Sequence, residues 1–438
     1  MTEAFESFES WGRFPKVRQD VFRPGWAADP IPFEKFSSVL PYGQGRSYGD
    51  SCLNDGGTLI VTDRLNRLAS FDAEAGVLRC EAGATLEDIL GVIVPRGWFL
   101  PVSPGTQFVS VGGAVANDIH GKNHHKAGTF GRFVRRFELL RSSGERLVCS
   151  PAENADLFGA TIGGLGLTGL MTWVEFALKK IPGPHIDVET LPFHSLEDFF
   201  RLSDAGDRDF EYTVAWFDGL SSPEKFRGLF YRGNHSAPPD RVKAPSMNLR
   251  FAVPFNCPSA LLNRWTLGAF NRLYYDWNAH KPARHSVPYR PFFYPLDTVG
   301  RWNRVYGRRG FFQYQCVVPK GEPGRRPVAA VLQEVAKSGQ GSFLSVLKLF
   351  GDRASPGLLS FPRPGVTLAM DFANRGQKTF DLLERLDGLV RDAGGAVYPA
   401  KDARMSAASF QSFFPRWREF AKFVDPKFSS GFWRRVTL

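Results

Sequence analysis

The run GQGRSYGD, from Gly43 to Asp50, is the first segment whose residue types could do chemistry. Its glycines stand at G-x-G-x-x-x-G and turn-forming residues follow, so it lacks both the dinucleotide spacing and the helix that would face a pyrophosphate. The pentapeptide Gly45 to Gly49 matches the G-x-S-x-G of hydrolases, but that motif also needs a helix directly after its serine. We therefore expect an anion nest, in which converging backbone N–H groups, Arg46 and Ser47 bind a phosphate.

Further glycine-rich segments follow this run: PVSPGT, from Pro101 to Thr106, and VGGAVANDIHGKNHHKAGTFG, from Val111 to Gly131. Glycine clusters separated by about a dozen residues predict that the backbone approaches a large ligand closely. The segment ATIGGLGLTGLMTWVEF, from Ala160 to Phe176, is a glycine-rich turn before a strand-like run. For this last segment a tightly packed pair of turns is an equally good interpretation.

Three histidines, His120, His124 and His125, lie close together in the second of these segments. Imidazoles at such spacing can ligate zinc, but only Asp118 could complete the ligand set and no cysteine lies near them. We therefore expect no metal site. Instead we expect His120 to hydrogen-bond a ligand, and His124 and His125 to cap loops.

Polar residues interrupt apolar strands in the C-terminal half of the chain. In the predicted strand Phe311 to Val318, period-two alternation places Gln313 and Gln315 on one face. Lys348 interrupts another apolar strand, and Lys401 follows the last one. These residues indicate a ligand site on the sheet face. The alternative is that the two amides face solvent and the stem of Lys348 lies along the surface.

The elements that position these residues follow the order β-α-β-β-α-β of a ferredoxin-like unit. Their predicted bounds are strand Phe311 to Val318, helix Val328 to Lys337, strands Phe343 to Phe350 and Val366 to Phe372, helix Thr379 to Val390 and strand Ala396 to Pro399. Upstream, Pro182-Gly183-Pro184 is the best domain boundary, because neither a helix nor a strand continues through it. Before it lie short strands with many glycine turns, and a helix predicted by the capping pattern of Thr85 and Asp88.

Composition narrows the class of protein. The 438 residues carry a formal net charge of +11, and 43% are hydrophobic. Such a chain folds with a sizeable core, so wholesale disorder and a polytopic membrane protein are excluded. The five cysteines are scattered, which favours a reducing compartment, and we expect neither a secretory signal nor a spanning helix.

An aromatic-basic stretch runs from Ser246 to Tyr294 and contains one acidic residue, Asp276. Arginine interleaved with tryptophan and phenylalanine suits contact with an anionic membrane surface. The alternatives are a lid over the ligand pocket, or a nucleic-acid surface, for which no recognised motif is present.

The motifs together resemble those of a known family. PYGQGRSYGD, PVSPGT, VGGAVANDIHGKNHH and IGGLGLTG, in this order, resemble the FAD-linked oxidases of the vanillyl-alcohol oxidase and p-cresol methylhydroxylase (PCMH) type. FFQYQCVVP, FLSVLKLFG and GGAVYPAKDAR extend the likeness over nearly the whole chain. The resemblance implies an α+β, two-domain PCMH-type fold. Its FAD-binding domain would comprise residues 1–183 completed by 396–438, and its ferredoxin-like substrate domain, over the flavin, residues 184–395.

The resemblance also implies how FAD is held. Many relatives attach FAD covalently to a histidine at the position of Arg46, and a guanidinium cannot form that bond, so non-covalent FAD is expected. The implied cofactor-binding residues are Gly43, Gln44, Gly45, Arg46, Ser47, Tyr48, Gly49, Asp50, Pro104, Gly105, Thr106, Gly112, Gly113, Asn117, Ile119, His120, Gly169, Leu170 and Tyr398.

The activity implied by the resemblance is oxidation of a secondary alcohol to a ketone, with hydride passing to the flavin. The implied substrate is a polyprenyl-phosphate-linked pentose, and another sugar or alditol is the alternative. A base must take the hydroxyl proton, for which Tyr48, His120 and Lys401 are candidates, and Lys401 would also stabilise the reduced flavin. Gln313, Gln315 and Lys348 would hold the sugar.

The same likeness implies partners and a location. A short-chain keto-reductase would complete an epimerisation, and the protein would be cytoplasmic and peripheral to the inner membrane. Two residues depart from the family: Ala369 stands where relatives carry an active-site cysteine, and Phe293 where they carry a tyrosine. Since neither is needed for hydride transfer, we expect an unchanged reaction in a pocket of different shape.

Overall fold

The structure, a computed structural model, describes residues 8–221, 226–238, 251–258 and 262–437. The aromatic-basic stretch therefore falls partly outside the described residues, which omit 246–250 and 259–261 of it. Its described part is divided among several elements rather than forming one. Among the described residues, no helix combines the length and the apolar character needed to cross a membrane.

The strands, in chain order, are β1 Asp20–Phe22, β2 Val39–Tyr42, β3 Thr58–Val61, β4 Leu68–Asp72, β5 Val77–Glu81, β6 Trp98–Phe99, β7 Val134–Leu140, β8 Arg146–Cys149, β9 Leu170–Ala177, β10 Lys179–Lys180, β11 His185–Phe193, β12 Tyr212–Phe217, β13 Gly228–Ser236, β14 Phe251–Ala252, β15 Arg284–Pro288, β16 Val299–Gly300, β17 Phe311–Val318, β18 Ser345–Phe350, β19 Gly365–Ala373 and β20 Ala396–Val397.

The α-helices, in chain order, are α1 Leu86–Ile93, α2 Val111–Ala116, α3 His124–Ala127, α4 Ala155–Thr161, α5 Leu196–Asp209, α6 Arg264–Ala279, α7 Tyr289–Phe293, α8 Pro327–Ser338, α9 Gln377–Asp392, α10 Ala407–Phe413, α11 Trp417–Ala421 and α12 Gly431–Thr437.

Three main sheets carry the fold. A parallel sheet β1-β3-β2 and an antiparallel sheet β4-β5-β9-β7-β8 lie in the N-terminal part, and an antiparallel sheet β15-β11-β13-β12-β18-β19-β17-β20 is built from later residues. The architecture is thus α+β, as predicted. The residue limits of the two domains stay a prediction.

The ferredoxin-like prediction is confirmed within the large sheet. Strands β17, β18, β19 and β20, with helices α8 and α9, occupy the predicted positions, and their spatial order β20-β17-β19-β18 is that of the split βαβ fold. All pairings among them are antiparallel. The local patterns are strong here: β17 has the predicted bounds, and α9 buries Leu382, Leu383, Leu386 and Val390 on one face.

The N-terminal part follows its turn and cap signals. Helix α1 is capped by Thr85, whose side chain accepts from the Asp88 N–H while the Asp88 carboxylate accepts from the Thr85 N–H. The C-terminal residues pack back onto this part of the molecule. Phe428 forms a parallel bridge with Val39 of β2, and the Phe428 ring lies 5.9 Å from that of Phe33.

Candidate active site

One cavity, of about 350 Å³, lies between the glycine-rich N-terminal segments and one face of the large sheet. This is within the usual size of a ligand pocket. The predicted residues that line it are Gly43, Gln44, Gly45, Arg46, Ser47, Tyr48, Pro104, Gly105, Thr106, Gly112, Gly113, Asn117, Ile119, His120, Gly169, Leu170, Gln313, Gln315, Lys348, Tyr398 and Lys401. The structure therefore brings together almost all of the predicted site residues from both halves of the chain.

Gly49 and Asp50 are the exceptions among the predicted residues. Neither lines the cavity. The Asp50 carboxylate accepts from the Arg435 guanidinium at 2.7 and 3.1 Å, and a Cβ on Gly49 would overlap the Asp402 carbonyl. These two residues join the predicted nest to the C-terminal segment, and their contact with FAD stays a prediction.

The nest glycines Gly43 and Gly45 make room for neighbouring segments of the protein. Gly45 has φ +59°, and a Cβ there would overlap the Tyr42 hydroxyl and the Glu9 carbonyl. A Cβ on Gly43 would overlap the Ser110 hydroxyl. Because both glycines lack a side chain, the neighbouring segments approach closely enough to close one wall of the cavity.

Arg46 is held against aromatic rings. Its guanidinium carbon lies 4.1 Å from the centre of the Trp11 ring and 5.3 Å from that of Phe108, and its Nε donates to the Phe108 carbonyl at 3.2 Å. Burial lowers the pKa of Arg46, and Asp297 acts in the opposite direction. The cation at this cavity wall is therefore positioned before an anion binds.

Gln313 is oriented by a buried carboxylate. Its Nε2 donates to Asp371 Oδ1 at 2.7 Å and to the Tyr48 hydroxyl at 3.3 Å, and the Tyr306 hydroxyl donates to Asp371 Oδ2 at 3.3 Å. Because its amide hydrogens are engaged, Gln313 offers its carbonyl oxygen, Oε1, as an acceptor. The alternative that Gln313 faces solvent is wrong, since the residue is 7% exposed.

Gln315 is oriented in the same way by a histidine. Its Nε2 donates to His120 Nε2 at 2.8 Å and to the Thr367 hydroxyl at 3.4 Å, which again leaves Oε1 as a free acceptor group. His120 Nε2 must accept, so the ring proton is on Nδ1. Burial, followed by Lys348, His124 and Lys401, lowers the pKa of His120 and keeps its ring neutral.

Three lysines line the same cavity. Burial lowers the pKa of Lys401 to about 7, with Asp371 acting against the shift, and burial lowers the pKa of Lys348 to about 8. Lys122 was not predicted; burial and then Lys348 lower its pKa to about 7, and its Nζ donates to the Phe293 carbonyl at 3.1 Å. Burial thus makes each of these amines easier to deprotonate than a lysine in water.

Asp371 is the other residue that the sequence analysis missed. Burial raises the pKa of its carboxyl to about 7, opposed by the Gln313 hydrogen bond, Lys401 and Tyr306. A signal was present in the sequence, because period-two alternation in β19 puts Asp371 on the same face as Ala369. The antiparallel register then pairs Asp371 with Gln313.

The histidine predictions need one correction. His124 does not cap a loop: it lies in α3, and its ring packs 4.3 Å from that of Phe350. His125 Nε2 lies 3.1 Å from the Phe210 carbonyl, directly after α5. Within the described ranges, no group of three or more His, Cys, Asp and Glu side chains is arranged to hold a metal ion.

Both residues that depart from the family pattern line the cavity. Ala369 lies in β19 opposite Gln315, and Phe293 ends α7, where its ring lies 5.1 Å from that of Phe99. Both substitutions therefore change the wall of the cavity itself.

Comparison with known proteins agrees with this geometry. A family model described as an FAD binding domain matches residues 34–150. The chain is 37% identical to decaprenylphosphoryl-beta-D-ribose oxidase of Mycolicibacterium smegmatis, over 91% of this chain and 89% of that protein. It is 32% identical to an uncharacterized protein of Streptomyces coelicolor, over 81% of this chain and 100% of that one. A D-lactate dehydrogenase of Anaerostipes hadrus is 30% identical over 33% of this chain and 31% of its own.

The residues in the cavity fit FAD. The matched region contains the nest and both glycine segments that form the N-terminal wall. Two buried polar atoms of cavity-lining residues, His120 Nδ1 and Ser51 Oγ, have no hydrogen-bond partner among the described residues. Such atoms are costly unless a ligand satisfies them, and the cofactor carries the phosphate and ring acceptors to do so.

Proposed function

Because the chain belongs to the family of FAD-linked oxidases that includes decaprenylphosphoryl-beta-D-ribose oxidase, we propose that it oxidises a secondary alcohol of a polyprenyl-phosphate-linked pentose to a keto sugar. The chain is an FAD-dependent oxidoreductase. The name of the relative supports the substrate, because the likeness covers nearly the whole of both chains. Non-covalent binding of FAD is part of the proposal, since Arg46 cannot form the covalent bond.

The observation that carries the substrate class is the pair of amide oxygens on β17. Gln313 and Gln315 both have their N–H groups engaged by protein, so two acceptors, two residues apart, line the cavity. Two adjacent hydroxyl groups of a sugar ring supply the matching donors. Lys122 and Lys348 add positive charge for the phosphate of the substrate.

Lys401 is the best candidate for the base. Burial raises the pKa of Tyr48 well above its ordinary value, so its phenol stays neutral, and His120 Nε2 is occupied by Gln315. The pKa of Lys401, about 7, leaves much of its amine free to accept the hydroxyl proton at Nζ. Bound FAD supplies the hydride acceptor. After proton transfer, Lys401 is a cation whose Nζ lies 3.8 Å from the centre of the Tyr48 ring.

Two further parts of the proposal concern the surroundings of the enzyme. A keto sugar made in this way is a substrate for a short-chain keto-reductase, and the two enzymes together would epimerise the carbon. A polyprenyl substrate resides in a bilayer, so peripheral contact of the protein with anionic lipid of the inner membrane is part of the proposal. The net charge of +11 supports this contact.

Spectroscopy of the purified protein tests the proposed function. We expect flavin absorption that passes into the supernatant after acid precipitation, and anaerobic bleaching of the oxidised band by a short-chain polyprenylphosphoryl ribose. The matching polyprenyl phosphate without the pentose is the control, because it carries no secondary alcohol, and it should not bleach the band. Bleaching by free alditols but not by the phosphorylated substrate would overturn the substrate assignment.

A further inference from the structure

Exposed apolar side chains are concentrated in one short part of the described surface. Seven large hydrophobic residues are exposed within the described ranges, and five of them lie between residues 255 and 277: Phe255, Trp265, Phe270, Leu273 and Trp277. All but Phe255 belong to α6. Scattered exposed hydrophobics are normal, but a contiguous group on one helix marks an interaction surface.

The exposed residues of α6 form a stripe. Trp265, Leu273 and Trp277 are 75%, 70% and 74% exposed, and they stand at steps of four residues, with exposed Ala269 completing the series. Residues four apart lie above one another on a helix. We call this line the α6 stripe.

The opposite side of α6 is fixed to the protein. Asn271 Nδ2 donates to Asp218 Oδ1 at 2.7 Å and to the Ser342 carbonyl at 3.2 Å, and the Tyr274 ring lies 4.7 Å from that of Trp216. Leu267 and Asn271 are the buried residues of α6, whereas its two tryptophans, Trp265 and Trp277, are exposed. Because α6 is anchored through Asn271 and Tyr274, the α6 stripe cannot turn inward.

A basic side chain lies at each end of the α6 stripe. The Arg264 guanidinium is 5.1 Å from the centre of the Trp265 ring, and Lys281 Nζ is 5.8 Å from that of Trp277. Tryptophan beside arginine or lysine is the composition of a helix that lies in the interface of an anionic bilayer. We propose that α6 docks on such a bilayer, with the α6 stripe inserted at the boundary between headgroups and acyl chains. This inference rests on the proposed function for its biological purpose.

The position of α6 connects the bilayer to the active site. The Phe270 ring lies 5.8 Å from that of Phe343, and the next residue, Leu344, lines the cavity. A lipid tail leaving the cavity on this side would therefore pass beside the docked helix. Docking by α6 brings the cavity to the substrate without extracting the polyprenyl chain into water.

Vesicle sedimentation of the FAD-loaded protein tests the proposal. The probes are phosphatidylcholine vesicles and vesicles containing about a third phosphatidylglycerol. We expect binding to the anionic vesicles, and the triple variant Trp265→Ser, Leu273→Ser, Trp277→Ser should weaken it by at least about tenfold, because the apolar area is lost. Trp26→Ser is the matched control, since Trp26 is 59% exposed but lies elsewhere, and it should bind as the wild type does.

A charge-reversal variant distinguishes insertion of the α6 stripe into the bilayer from electrostatic attraction of the protein to anionic lipid. Arg264→Glu with Arg272→Glu should weaken binding at low salt and reduce its salt dependence, since exposed charges are screened within about 8–10 Å. Vesicle binding by the triple variant equal to that of the wild type would overturn the proposal. A second result would also overturn it: the wild type forms a dimer in sedimentation velocity, the triple variant is monomeric, and the wild type does not bind vesicles. The α6 stripe would then join two copies of the chain.

Vesicle binding tests the docking surface, and flavin bleaching tests the proposed substrate, so the two hypotheses can fail separately. Substitutions on the exposed stripe should leave flavin content, melting temperature and bleaching by a soluble short-chain substrate unchanged. If the wild type binds vesicles through the stripe but no polyprenylphosphoryl pentose bleaches it, the proposed substrate fails and the docking surface stands. If bleaching occurs and the stripe has no effect on vesicle binding, the docking surface fails alone.

Discussion

The substitution Lys401→Met tests two effects of Lys401 separately: its contribution to the rate of flavin reduction, and the free energy of folding lost by burying its charge. Methionine keeps the length of the side chain but has neither charge nor basicity. We expect the variant to bind FAD and to be reduced by substrate more slowly by about 10²–10³-fold, the usual loss for one preorganised electrostatic group. Anaerobic stopped-flow bleaching of the oxidised flavin band measures this rate.

The same substitution should stabilise the FAD-free protein. Burial lowers the pKa of Lys401 from 10.5 to about 7. Below about pH 7 both the folded and the unfolded state carry the proton, so folding bears the full cost of the buried charge. Between about pH 7 and 10.5 only the unfolded state binds it, and stability rises with pH. At about 1.4 kcal/mol per pKa unit the upper limit of the cost is about 5 kcal/mol, and water in the cavity reduces it.

Denaturation of FAD-free protein at two pH values tests this reasoning. We expect Lys401→Met to be more stable than the wild type by about 2–4 kcal/mol near pH 6, and this advantage to shrink near pH 9. Lys401→Arg is the control for chemistry, because it keeps the charge and cannot accept a proton. Equal stability near pH 6, or near-normal bleaching by either variant, would refute the assignment.

Three further substitutions test the surrounding residues. Asp371→Asn retains an acceptor for the Gln313 amide but removes the negative charge that raises the pKa of Lys401. The pH below which the rate of flavin reduction falls should therefore decrease. An unchanged pH profile would contradict the proposed effect of Asp371 on Lys401. Gly45→Val should lose flavin on gel filtration, because a Cβ at φ +59° displaces the segments of the nest, and full flavin content would count against the nest. Arg435→Met should lower the free energy of unfolding of the FAD-bound protein by about 3–5 kcal/mol in denaturant titration, since it leaves the Asp50 carboxylate buried without its cation.

Local patterns made the ferredoxin-like unit predictable. In β17 the apolar residues alternate with two amides, and period-two geometry alone places Gln313 and Gln315 together. Helix α9 and its neighbours have clear apolar faces and glycine ends, so their order could be predicted without knowledge of distant contacts.

Contacts between distant segments explain what the sequence analysis missed. The direction of each amide depends on Asp371 and His120, which lie far from β17 in the chain. Likewise, the glycines of the nest suggest contact with a phosphate, whereas Gly45 makes room for Tyr42. Asp50 looked like part of the nest because nothing near it in sequence reveals Arg435 as its partner. A residue type specifies which bonds are possible, and only tertiary packing selects one.

The lysines of the cavity acquire different roles from one physical cause. Burial depresses the pKa values of Lys122, Lys348 and Lys401 alike, so in the absence of an anion part of each population is neutral. A phosphate placed near Lys122 and Lys348 would raise their pKa values and draw protons onto them, which links substrate binding to proton uptake. Lys401 is the lysine whose pKa Asp371 raises, and that carboxyl itself titrates near neutral pH. The pKa of the Lys401 amine thus stays near neutral pH, where a base is most effective. Lys122 and Lys348, once protonated, hold the substrate by their positive charge.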